Sequence, residues 1–62
     1  MTPKEKAEEL HVEYWYLTND ERLAKKCALI AVDEILDTLE EVVYAPKTID
    51  FWQQVKQEIE KY

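Results

Sequence analysis

The 62-residue sequence has no glycine and no serine, one cysteine, one histidine and two prolines. Without glycine there is no phosphate-cradling loop of the usual kind. Without serine, and with His11 standing beside no obvious nucleophile, nucleophilic catalysis is hard to support. Cys27 has no second cysteine to pair with and lies in the run Cys27-Ala28-Leu29-Ile30-Ala31-Val32, where burial disfavours a thiolate and makes the side chain a small hydrophobe. The sequence therefore reads as that of a non-enzyme needing no cofactor and no metal. Scarce helix breakers and 47% hydrophobic residues point to ordered helices rather than a disordered chain.

No apolar stretch reaches the ~20 residues that span a bilayer, and Met-Thr-Pro-Lys-Glu-Lys lacks the apolar core of a signal peptide. A soluble, cytoplasmic protein without membrane contact is expected. The formal net charge of −6 disfavours duplex nucleic acid, whose backbone is bound by neutralising phosphates with lysine and arginine. The same acidity suits docking on a basic protein surface.

Residues 1–62 read as one all-α domain of three helices, short, long and short, joined by tight loops. Thr2-Pro3-Lys4-Glu5 is a capping box with proline at the first helical position, and Ala7, Leu10, Tyr14 and Leu17 follow at helical spacing. Val12, Trp15 and Tyr16 lie off that stripe, so this helix is apolar on more than one side. Thr18-Asn19-Asp20-Glu21 reads as a second capping box. The helix after it is expected to run from Asn19 or Asp20 to about Val43, with Leu23, Ala24, Cys27, Ala28, Ile30, Ala31, Ile35, Leu39 and Val42 inward. Tyr44-Ala45-Pro46-Lys47 breaks the pattern, after which Thr48 is expected to cap a third helix with Trp52, Val55, Ile59 and Tyr62 inward and Ile49 and Phe51 at its start.

The run from Cys27 to Val32 is apolar all round, so partners must cover it on several sides. A chain this short buries only about 60% of its unfolded surface, and two flanking helices of roughly 20 Å cover only part of one of roughly 35 Å. The expectation is a homo-oligomeric helical bundle in which Ala24, Ala28 and Ala31 let two copies approach closely.

Two surfaces are candidate sites. Arg22, Lys25 and Lys26 fall at i, i+3 and i+4 at the start of the long helix, where free N–H groups and the helix dipole also favour an anion. With Tyr14 and Trp15, and Tyr16 beside them, they could stack a base and pair with phosphates, as in a nucleotide binder. Otherwise they are a solvated basic face, with Glu21 and Lys25 as an ordinary i, i+4 pair. Asp33, Glu34, Asp37, Glu40 and Glu41 form an acidic strip further along, of which Asp33, Asp37, Glu40 and Glu41 are expected to share a face, either simply solvated or docking on a basic protein. Glu8-Glu9-Leu10-His11 holds one Glu-x-x-His pair of the kind di-iron bundles use, a spacing that Glu-rich helices also produce by chance.

The segments AKKCALIAVDEIL (24–36) and FWQQVKQEIEKY (51–62), with the opening TPKEKAEEL, resemble small uncharacterised helical proteins encoded by bacteriophages of Bacteroidota hosts. The resemblance covers most of the chain, rests on helical segments and brings no catalytic motif. It implies a phage or prophage origin and a place in the bacterial cytoplasm. Small phage proteins often act against host defence, either by binding an immune protein or by sequestering a nucleotide signal in a helical oligomer. The expected function is accordingly a non-enzymatic helical oligomer that binds a nucleotide or a host factor, the alternative being an acidic interaction module that docks on a basic host or phage protein.

Overall fold

Thr2 starts the first helix by accepting the Glu5 backbone N–H on Oγ1 at 3.2 Å, while Glu5 Oε1 accepts the Thr2 N–H at 2.9 Å. Pro3 then occupies the first helical position of α1 (Pro3–Thr18) in the computed structural model, which describes residues 1–42 and 45–62, the side chain of Val42 excepted. The hydrogen bonds to Thr2, that with its backbone foremost, hold the Glu5 carboxyl below its ordinary range. The helix ends at Asn19, whose φ of 52° is left-handed and whose N–H reaches Trp15 O at 2.7 Å. Asparagine tolerates this conformation better than most residues.

The second cap differs from the expected one. Thr18 remains the last residue of α1 and donates its hydroxyl to Tyr14 O at 2.7 Å. Asp20 takes over, with Oδ1 accepting the N–H groups of Arg22 at 2.9 Å and Leu23 at 3.1 Å. A carboxylate one residue before the helix satisfies two free donors and complements the dipole, which a threonine still held in the previous helix cannot do. Helix α2 (Glu21–Val42) follows. Helix α3 (Pro46–Glu60) begins at proline, with Ala45 before it and no side-chain cap, so Thr48 lies inside the first turn rather than ahead of it. The fixed φ and missing N–H of Pro46 start this helix without a capping side chain. The expected helix end near Val43, the inward place of Val42, and Tyr44 lie outside the described residues.

Each helix packs against both others in a bundle measuring 36 × 20 × 15 Å. Among the described residues Ala7, Ala24, Ala28, Val32, Leu36, Val55 and Ile59 form the buried core. Leu10, Tyr14, Leu29, Ile49, Phe51 and Trp52 are half-buried around it. Ala24 and Ala28 are thus covered by the chain's own helices, and Ala31 is half-buried. The alanine ladder expected to join two copies draws helices of one copy together instead.

Two further inward assignments are overturned on α2, where Leu23 is 49% and Ile30 57% exposed; on α1, Leu17 shares the helical spacing of half-buried Leu10 and Tyr14 but is 80% exposed. The reason is angular. At about 100° per residue, Ala28, Val32 and Leu36 step along one side of α2, while Ile30 lies some 200° round from Ala28. Val32 and Leu36, absent from the expected inward set, are the residues that α1 and α3 cover. Tyr62, also expected inward, is half exposed beyond the end of α3. Among the described residues no helix is long and apolar enough to cross a membrane.

Candidate functional site

His11, near the middle of α1, lies flat against the ring of Tyr62, with centroids 4.4 Å apart and planes 7° from parallel. Glu21, Arg22 and Lys25, from the first turns of α2, line the same depression. Lys25 Nζ donates to the carbonyl oxygens of Glu60 at 3.1 Å and Tyr62 at 3.4 Å, tying α2 to the far end of α3. That position suits a cation, since the carbonyls ending a helix carry partial negative charge. Glu21 and Lys25 form no ion pair; the lysine reaches these carbonyls instead.

A second depression adjoins the first through His11 and Glu21, and is completed by Val12, Trp15 and Tyr16. Trp15, 40% exposed, meets Tyr16 edge to face with centroids 5.5 Å apart. Of the five residues expected to form a ligand site, the structure brings Arg22 and Lys25 together and sets Trp15 in the neighbouring hollow. Tyr14 instead packs half-buried against the core. Lys26 is exposed and outside the lining, because one residue's step from Lys25 turns it a quarter of the way round the helix. His11 and Tyr62 were not expected there. They meet only when α1 and the residues after α3 come side by side, and no local spacing signals that.

Burial raises the Tyr62 phenol above its ordinary value, with the nearby charges of Glu8 and Glu58 acting in the same direction. Folding therefore favours the neutral phenol. Its contribution to stability is complete below the ordinary tyrosine value of about 10 and is lost as pH rises through the higher folded value. NMR titration of the Tyr62 ring protons should place its midpoint above that of the same residue in urea-unfolded protein; equal midpoints would contradict the stacked arrangement.

The acidic strip divides. Asp33, Asp37 and Glu40 line a groove between α2 and α3, faced by Gln53, Lys56 and Gln57. Asp33 pairs with Lys56 at 2.9 Å, and the hydrogen bond and charge of Asp33 hold the lysine above its ordinary range. Glu41 is exposed but does not line this groove, being turned about 100° from Glu40. Among the described residues no three His, Cys, Asp or Glu side chains come together as a metal site would require, and His11 of the Glu-x-x-His pair is engaged with Tyr62.

In comparison with known proteins the chain matches no family model, no curated protein and no solved structure.

Proposed function

We propose that this chain is a non-enzymatic, self-associating helical protein that holds a small anion of nucleotide type in the depression formed by His11, Arg22, Lys25 and Tyr62. The convergence of two cations on a flat aromatic stack supports this reading above any other observation. A guanidinium grips phosphate oxygens in pairs, and an ammonium adds a point charge. The adjoining Trp15 offers a stacking face for a base. The lining sets two cations, Arg22 and Lys25, against the carboxylate of Glu21, with Glu8 and Glu58 near the Tyr62 ring. In a phage setting, which the resemblance of residues 24–36 and 51–62 suggests, the role is to withhold a nucleotide signal from a bacterial host's defence.

Melting curves and calorimetry with a panel of mononucleotides and cyclic dinucleotides test the reading. At least one should raise the melting temperature, since a ligand bound only by the folded state stabilises it. Arg22→Ala with Lys25→Ala should weaken its binding by roughly tenfold to a hundredfold, the cost of one to two charge-assisted contacts. A panel without effect, or a double variant of unchanged affinity, would sink the assignment. A second reading, an acidic module that docks on a basic protein, is favoured by the groove in which Asp37 and Glu40 stand beside Gln53 and Gln57.

A further inference from the structure

Helix α2 meets its neighbours along Ala24, Ala28, Val32 and Leu36. Its outward side carries two large aliphatic residues, Leu23 and Ile30, seven residues apart and so on one face. The chain leaves 4611 Å² accessible, against about 4200 Å² for an average folded protein of this mass, so its own helices cover less surface than usual.

The charges beside that face are ordered. Arg22 and Lys26, both exposed, precede Ile30; Asp33 and Asp37, both exposed, follow it on the same flank. Each cation stands as far before the midpoint between Leu29 and Ile30 as one of the carboxylates stands after it, Lys26 matching Asp33 and Arg22 matching Asp37. A parallel pairing about a two-fold axis carries this flank of the two copies to opposite sides of the contact, where the charges do not meet. An antiparallel pairing about a two-fold axis at that midpoint sets cation on carboxylate at all four positions, because a two-fold contact repeats every pair.

We infer that two copies of this chain associate antiparallel through the outward face of α2, Ile30 against Ile30 beside the two-fold axis, with Arg22 and Lys26 of each copy facing Asp37 and Asp33 of the other. The inference rests on the self-association proposed above and gives it a face and a direction. Two molecules of net charge −6 repel at a distance, so they meet only on a face that is locally neutral. On its flank bearing Arg22, Lys26, Asp33 and Asp37 the α2 face balances two cations with two carboxylates, the exposed Glu34 lying on the other side of Ile30. The outer surface of α1, where Glu5, Glu8, Glu9 and Glu13 cluster round Met1 and Val12, does not. Asp33 keeps Lys56 on its inner side through Oδ1 and meets Lys26 of the second copy with its other oxygen.

Sedimentation of the ligand-free chain from micromolar to millimolar concentration should show a monomer–dimer equilibrium. Ile30→Asp should weaken it by roughly a hundredfold or more, because two unpaired carboxylates would be buried at the axis, and should leave the circular dichroism of the monomer unchanged. Arg22→Glu and Asp37→Lys should each weaken self-association about tenfold, since each sets like charges together twice. Mixed in equal amounts, these two variants should pair to within about threefold of the natural affinity, because both contacts then regain opposite charges.

A chain that stays monomeric at millimolar concentration overturns both the pairing and self-association. A dimer indifferent to Ile30→Asp, or a mixture no tighter than either variant alone, overturns this pairing and leaves self-association standing. The runs hold no ligand, so nucleotide binding, which draws on Arg22 as well, does not enter the result.

Discussion

Val32→Asp is expected to abolish the folded state, whereas Ile30→Asp, two residues earlier in the same apolar run, should leave the helices of each copy intact. Val32 is fully buried and belongs to the cluster that joins all three helices. An aspartate there has no cation within the core, and an unpaired charge or an unsatisfied polar group in such a place costs about 3–5 kcal/mol. A domain of this size has a total stability of roughly 3–9 kcal/mol. The substitution therefore consumes most or all of it, and the lost side-chain packing adds to the deficit. Ile30 is 57% exposed, so a carboxylate at that position stays in water within a single copy. Circular dichroism with urea titration separates the two variants. Val32→Asp should show little helix and no cooperative transition, and Ile30→Asp a transition close to the natural one. A cooperative, fully helical Val32→Asp protein would mean that α2 presents a different face to the core.

The division of the chain into three helices was legible because its breaks have strong local chemistry. Pro3 and Pro46 each open a helix, and Asn19 with Asp20 closes one and starts the next. The capping threonines were less so. Thr18 and Thr48 have the right identity, but a hydroxyl can bond back to its own helix as readily as forward to the next, and the choice depends on where the preceding turn ends. The face of α2 was not legible at all between residues 27 and 32. A run apolar on every side carries no stripe, so Val32 and Ile30 look alike in sequence and differ only in which neighbours arrive.

The candidate site divides in the same way. Arg22 and Lys25 are three apart on one helix, and a single turn brings them together whatever the rest of the fold does. His11 and Tyr62 need α1 and the end of α3 to lie side by side, a tertiary fact without local signature. The acidic strip was visible as composition, but its electrostatics are set by Lys56 on α3, which takes Asp33 into an ion pair. The basic start and acidic end of α2 form one pattern. Treated as two separate sites they suggest two unrelated partners; treated as one helix face with a midpoint beside Ile30, they are complementary to each other.

Ile59→Ala should cost about 2–5 kcal/mol, the range for removing a large buried aliphatic side chain when the surroundings only partly collapse. Against a total of roughly 3–9 kcal/mol this moves the urea midpoint far down and leaves a substantial unfolded fraction at 37 °C. Ile59 is fully buried in the last turn of α3 and is among the largest such side chains in the described residues. Its loss should also act locally. The carbonyls of Glu60 and Tyr62 that receive Lys25, and the Tyr62 ring on which His11 stacks, follow directly after it. Releasing the last turn therefore dismantles one wall of the depression even in molecules that stay folded. Ile59→Val, which removes a single methylene, should cost about 0.5–1.5 kcal/mol and keep that wall. Urea titration of both variants, with the His11 ring shifts followed by NMR, gives the two effects separately. An Ile59→Ala protein as stable as the natural chain, with the His11 shifts unmoved, would show that the end of α3 is held from elsewhere and that Ile59 is not what positions the aromatic stack.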